Sequence, residues 1–451
     1  MNKKYLIGII FIVCIFIIGF CIVQKNKEEK NSNSIKATIL SKENSKLVIQ
    51  DDNNLIYTFN SNIEANVGEN IVLKYSGVLD QTKEIQDASV ISYKISTTSK
   101  NEDGIPTSWL DDGIFSSYYI QAYNKLKTLS LNEKIGQLLL VRYPDKNAIS
   151  ALKKYHFGGF VFFEKDFSGL TKKQVQNRME ELQNTSNIPL LTAVDEEGGK
   201  VVRVSSNPNL VKERFKSPSE LYKLGGFNEI AQDTIEKSRI LYHLGLNLNL
   251  APVVDVAASK DDYIYDRTLG ENTELTSTYA KTVINASKGT NVSYTLKHFP
   301  GYGNNEDTHN GSVIDNRTYY NIEKYDLPPF KAGIDSGAEA ILTNHNIVNY
   351  IDSSNPASLS PVVHNLLREK LGFTGITITD DLDMKAVSSI EDATIKAILA
   401  GNELVITTDY EKSFNSIKNG IEIGRISENH IDQLTFRILA WKYYKGLMFE
   451  K

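Results

Sequence analysis

From Trp109 onward, short apolar and β-branched runs recur between amphipathic stretches of helical period. The runs are "QLLLV" at 137, "GFVFF" at 159, "LLTAV" at 190, "LNLNLAPVV" at 246, "VSYTL" at 292, "AILT" at 340, "GITIT" at 375 and "ELVIT" at 403. A continuous apolar run followed by an amphipathic segment marks a strand buried on both faces, as in parallel βα units. Eight such units predict an α/β fold, a closed (β/α)8 TIM-type barrel with insertions. An open doubly wound sheet is the alternative, and it too would place a site at the strand ends.

The pattern upstream is different. Between Ile35 and Ile95 the runs "ATIL", "KLVIQ", "LIYTF" and "NIVLKY" alternate with the turn signals "DDNN" and "VGEN", which predicts a small antiparallel barrel or sandwich over 35–97. This region clusters no acids, histidines or nucleophiles, so it reads as a spacer rather than a binding module. Two polar linkers flank it, "KNKEEKNSNS" over 25–34 and a Ser- and Thr-rich segment over 98–108, leaving 109–451 to the barrel.

At the start of the chain, the run Tyr5 to Gln24 carries no charge and is long enough to span a bilayer as a helix. It outlasts a signal-peptide core, and no small-residue cleavage site follows it. An uncleaved anchor over 1–24 is expected. A long signal sequence is the alternative, and lipoprotein processing at Cys21 is disfavoured by bulky Phe20 before it. Lys3 and Lys4 would remain inside, which places the rest of the chain outside a cell membrane crossed once. Cys14 and Cys21, the only cysteines, both lie in this run, so the exterior part has no disulfide.

Composition adds mainly exclusions. With 41% hydrophobic and 23% charged residues the chain is of ordinary globular type. Lys and Arg number 50 against 55 Asp and Glu, for a net charge of -5, so no basic field is present to hold a nucleic-acid backbone.

The candidate chemistry lies at the predicted strand ends. The third run leads into "DEEGG" (Asp195 to Gly199), the fourth into Asp255, the fifth into Lys297 and His298, the sixth into Asn344 and His345, and the seventh into Asp380 and Asp381. In a barrel these ends converge on one mouth. The stretch "KHFPGYGNNEDTH", Lys297 to His309, then places Asp307 two residues from His309 in a loop, where a carboxylate can fix the imidazole tautomer and raise its basicity. His298 and His345 fit buried hydrogen-bonded core groups equally well. His156, His243, His364 and His430 carry no further signal. No H-x-x-x-H or paired-cysteine pattern points to a metal, and no cofactor is expected. Asp380 and Asp381 end a central apolar strand, where a carboxylate serves as nucleophile, as base or as structural support; periodicity does not choose among these.

Taken in order, "DEEGGKVVR", "LNLNLAPVVDV", "DRTLG", "KHFPGYG" with "DTH", "NPASLSP", "TDDLDM" and "RILAWKYYKGL" resemble the glycoside hydrolase family 3 barrel, within it the β-N-acetylglucosaminidase branch, over Trp109 to Leu447. The resemblance implies a retaining exo-enzyme that removes terminal N-acetylglucosamine from cell-wall-type glycans through a covalent glycosyl-aspartate. It gives Asp380 the role of nucleophile and His309, supported by Asp307, that of acid/base. Lys297, His298, Arg267 and Asp195 would hold sugar hydroxyls, with Arg203 lining the same site. A β-glucosidase or a glycosyl phosphorylase of the same family are alternatives, the latter because a neutral imidazole would not repel phosphate. A catalytically silent glycan-binding surface protein is the alternative from another class, and the intact Asp380, Asp307 and His309 argue against it. The chain departs from the family pattern in two places. Tyr302 stands where Gly-His-Gly is common, and only Asn304, Asn305 and Glu306 separate the turn from Asp307 where the family loop has four residues. The reach of His309 is therefore open. A second α/β sandwich domain, found in many relatives, is not expected after the barrel.

Overall fold

The computed structural model describes residues 32–43, 45–96, 100–257 and 259–449. The apolar run Tyr5 to Gln24 lies outside the described residues. Among the described residues no helix is long and apolar enough to cross a membrane.

Five strands come first: β1 (Ser32–Glu43), β2 (Lys46–Asp51), β3 (Ile56–Asn60), β4 (Asn70–Ser76) and β5 (Ser89–Ser96). They form one antiparallel sheet in the order β3-β2-β1-β4-β5. No ladder joins β3 to β5 among the described residues, so the sheet is open where alternation alone suggested a barrel or sandwich; β5 is largely exposed or half-buried. Ile39, Leu47, Ile49, Phe59, Ile71 and Leu73 alternate onto one face and form a separate small core.

The larger unit follows. Its strands are β6 (Leu139–Arg142), β7 (Gly159–Phe162), β8 (Leu191–Val194), β9 (Leu248–Asn249), β10 (Ser293–Phe299), β12 (Ala340–Thr343), β14 (Ile376–Thr379) and β15 (Val405–Thr407), with the short strands β11 (Ile314–Asp315) and β13 (Ile347–Val348) paired in the loops above them. These eight strands are joined by seven ladders, all parallel, and sit in chain order around the sheet. A bridge from Ile378 to Leu404 and the bonds Thr379 N–H to Leu404 O and Leu382 N–H to Ile406 O, each 3.0 Å, close the ring. Each strand is followed by a helix, from Ala148–Tyr155 after β6 to Tyr410–Glu422 after β15. β7, β8, β12 and β14 are buried at every position, between the barrel interior and the helix layer, which is why their sequences run apolar without alternation.

The last helix, Glu428–Tyr444, seals the barrel at the N-terminal ends of its strands. Arg437 and Arg368 converge on Glu403, just before β15, at 2.9 and 2.7 Å, and Trp441 Nε1 donates to Glu339, just before β12, at 2.8 Å. The opposite end is left for the site. The β1–β5 sheet packs on the flank of the barrel. The Asn365 side chain accepts from Ile56 N–H at 3.0 Å and donates to Ile56 O at 2.6 Å, and Gln433 donates to Asn54 at 2.6 Å.

Candidate active site

At the C-terminal ends of the strands lies a cavity of about 570 Å³. Asp195, Arg203, Arg267, Lys297, His298, His309 and Asp380 all line it, and Asp307 stands behind His309. Their side chains fall into three groups.

The first is built on the turn after β8. Its three consecutive acids have three different surroundings. Glu196 is fully buried and accepts the N–H groups of Arg203 and Val204 at 2.8 and 2.7 Å, which folds the turn back on itself. Gly198 has φ +103° and passes so close to the backbone of Lys216 that a Cβ there would meet its carbonyl oxygen at 2.1 Å. Asp195 and Glu197 are thereby aimed into the mouth. Lys297 Nζ lies 2.7 Å from Asp195 Oδ1 and 2.6 Å from Glu197 Oε1. Arg267 grips Glu197 with two nitrogens, at 3.0 and 2.8 Å. Burial pushes both carboxyls up, but the cations outweigh it: Arg267 and Lys297 hold Glu197 at about 2, and Lys297 and Arg203 hold Asp195 well below the usual carboxylate range. Burial would likewise lower Lys297, and Asp195 and Glu197 reverse that. The four groups form an ionised set with no net charge.

Adjacent residues of one strand ordinarily face opposite ways. The β10 register shifts between Lys297 and Phe299, and both Lys297 and His298 reach the cavity. His298 Nδ1 is 2.7 Å from Asp255 Oδ2 and its Nε2 is 3.2 Å from Arg267 Nη2. Since Arg267 can only donate, Nε2 accepts and Nδ1–H donates to Asp255, which fixes the neutral tautomer. Arg203 stands 3.4 Å from Asp195, and its buried Nε–H has no partner among the described residues, leaving a donor for a ligand.

The second group ends β14. Asp380 N–H bonds Thr343 O at 2.9 Å, and Asp381 N–H reaches Asp380 Oδ1 at 2.9 Å. Among the described residues nothing else donates to the Asp380 carboxylate. Asp381 instead has both oxygens occupied, by Asp383 N–H at 3.0 Å and the Thr408 hydroxyl at 2.9 Å. Burial, with the negative charges of Asp383 and Asp380 beside it, pushes Asp381 up to about 6. His345 is a buried structural group, tied to Ser358 at 2.7 Å and to Asp381 O at 3.0 Å.

The third group is the loop after β10. His309 Nδ1 is 2.7 Å from Asp307 Oδ1, and the same oxygen accepts His309 N–H at 3.0 Å. The imidazole is 63% exposed and open to incoming groups. Burial raises Asp307, but the bonds from His309 outweigh it and keep the carboxyl ionised. The three-residue linker is long enough: His309 borders the same cavity as Asp380.

Glu197, Asp255, Tyr263 and Tyr302 join the site without having been singled out as site residues by the sequence. Asp255 was visible as a strand-end acid, and Glu197 as the third acid of "DEEGG", but nothing in the pattern separates it from a solvated neighbour. Asp195 and Glu197 already face Lys297 or Arg267, and among the described residues no group of three or more His, Cys, Asp or Glu side chains is arranged to hold a metal ion.

A set of fixed donors and acceptors that sums to zero charge suits a neutral polyhydroxylated ligand, and a lightly bonded carboxylate lining the same cavity as a carboxylate-backed imidazole suits cleavage of an acetal. Barrel and site together define a glycoside hydrolase. The chain belongs to glycosyl hydrolase family 3, whose N terminal domain matches residues 130–441. Beta-hexosaminidase LpqI of Mycobacterium tuberculosis is 28% identical over 333 residues, covering 70% of this chain and 83% of that protein. A beta-hexosaminidase of Xanthomonas axonopodis pv. citri is 31% identical over 241 residues, 51% of this chain and 68% of its own. Among solved structures, a glycoside hydrolase family 3 beta-N-acetylglucosaminidase from Paenibacillus sp. superposes with a TM-score of 0.67 at 28% identity. The match covers 72% of this chain and 64% of the length of that one.

Proposed function

We propose that the protein is a retaining exo-β-N-acetylglucosaminidase acting on N-acetylglucosamine-containing cell-wall glycans. Asp380 attacks the anomeric carbon while His309 Nε2–H protonates the departing oxygen, and Asp307 stabilises the imidazolium-to-imidazole cycle. The bond from carbon to the leaving oxygen breaks as the bond to Asp380 forms. In the second step neutral His309 takes a proton from water, whose oxygen displaces Asp380. Lys297, Arg267 and Asp195 hold the sugar hydroxyls, and His298, engaged by Asp255 and Arg267, keeps Arg267 in place beside them. The observation that carries this reading is the contrast at the end of β14: Asp380 accepts one hydrogen bond, on Oδ1, and leaves Oδ2 to the cavity, whereas each oxygen of Asp381 is tied to the protein. The beta-hexosaminidase relatives support the choice of sugar.

The test is trapping. His309→Ala soaked with an N-acetylglucosaminide bearing an acidic phenol should form the intermediate and fail to hydrolyse it. Intact-mass spectrometry should then show one added N-acetylhexosamine, mapped by digestion to Asp380. A label on Asp381, or an inverted product anomer by NMR, overturns the assignment. The same reading places the enzyme outside the cell on its N-terminal apolar run, supported by the length and lack of charge of Tyr5 to Gln24.

A further inference from the structure

The dyad loop is short, and the structure contains a strut that spans it. Tyr302, 3% exposed, lies with its ring edge-on to His298 at 5.6 Å and tilted against Tyr263 at 5.8 Å. Its N–H bonds Asp255 Oδ1 at 2.7 Å, on the carboxylate that also orients His298. Its hydroxyl accepts Thr308 N–H at 3.0 Å and lies 3.1 Å from Thr308 Oγ1, so it can donate there in return. Thr308 is the residue between Asp307 and His309. The base of the strut cannot sink: a Cβ at Gly301 would come within 2.4 Å of Asp326 Oδ1 and one at Gly303 within 2.2 Å of Arg317 Cζ, and Arg317 and Asp326 are themselves paired at 2.8 Å. Burial holds the phenol well above the usual tyrosine range, so it remains a neutral donor and acceptor.

We infer that Tyr302 is a positioning residue: its hydroxyl fixes the Thr308 backbone, and through it holds the Asp307–His309 pair in place opposite Asp380. This rests on the reading of His309 as acid/base. It assigns to the middle of the Gly-Tyr-Gly turn a part in the reaction without contact with the reacting atoms. The ring fills space between His298 and Tyr263; the hydroxyl alone reaches the dyad.

Tyr302→Phe in the full chain separates the two. The ring packing is retained, and unfolding temperature reports that it is. Loss of dyad placement should lower kcat about 10–100-fold on an N-acetylglucosaminide with a weakly acidic leaving group, part of the ~10²–10⁴ that a positioned acid supplies. On a strongly acidic phenol the glycosylation step should change by less than about threefold, and KM should barely move. In a His309→Ala background the same substitution should add nothing, because the group being positioned is gone. Independently of turnover, the His309 ring ¹⁵N chemical shifts should move in Tyr302→Phe as the Nδ1 contact with Asp307 loosens. Unchanged His309 chemical shifts together with equal losses on both leaving groups overturn the inference. If the chemical shifts move but His309→Ala shows no leaving-group dependence, the acid/base reading fails and the positioning role stands.

Discussion

Lys297 Nζ and Glu197 Oε1 lie 2.6 Å apart, with the two side chains 3% and 2% exposed. An ion pair this deep is held by its partners and not by solvent. It accounts for an acid that the sequence offered no reason to choose.

Glu197→Gln should therefore be expensive. The amide keeps the shape but leaves Lys297 and Arg267 facing one carboxylate fewer, and breaking a buried pair in this way costs about 3–5 kcal/mol. Thermal unfolding should show a fall of several degrees at pH 7. The sign with pH follows from a folded value of about 2 against an ordinary 4.5: the stabilisation is fully present above 4.5 and is lost as pH falls towards 2. The gap between wild type and variant should be flat from pH 5 to 8 and narrow below 4.5. A gap that widens in acid would contradict the pairing.

The acid limb of kcat/KM should come from the β14 acids and not from the binding set. Asp195 and Glu197 remain ionised well below pH 4, whereas Asp381 is pushed up to about 6 by burial and by the charges of Asp383 and Asp380. Activity should fall as pH drops through about 6, as Asp381 takes up a proton beside Asp380. Asp381→Asn removes one of the two charges, and the limb should move to lower pH even as the maximum rate declines. A pH–rate profile of both proteins checks this.

How far the sequence reaches is clear from these residues. All eight barrel runs were legible because strands buried on both faces are written as uninterrupted apolar stretches. Only Leu248 and Asn249 form a strand within "LNLNLAPVV", since Pro252 has no N–H for a ladder. The strand-end acids and bases were legible from their position after those runs. Glu197 and Tyr302 were not, because their roles depend on partners distant in sequence, Arg267 and Asp255. The open form of the β1–β5 sheet was also hidden: alternation indicates that a strand has a wet face, but not whether its edges meet.

The β1–β5 sheet should be dispensable for chemistry and useful for stability. No residue of it lines the catalytic cavity. Asn365→Ala leaves the buried Ile56 N–H and C=O without partners, at a cost of ~1–3 kcal/mol. The unfolding temperature should drop while kcat on a small aryl N-acetylglucosaminide stays within about twofold. A large loss of turnover would mean that the sheet completes the site.

Expression of the full chain should leave activity in the membrane fraction, and a version beginning at Ser32 should appear in the soluble fraction with the same specific activity. Recovery of soluble enzyme from the full chain, with a new N-terminus near Lys25, would point to cleavage instead.

The pairing of Asp195 and Glu197 with Lys297 and Arg267 also governs how the cavity responds to its surroundings. Mobile ions gather where fixed charge is unbalanced, and this mouth has little to attract them. Binding a neutral sugar there displaces few counter-ions, so KM should hardly change between dilute buffer and half-molar salt, in contrast to a cleft that captures its ligand by opposite charge. A site already neutralised from within is insulated from the ionic strength of whatever medium surrounds it.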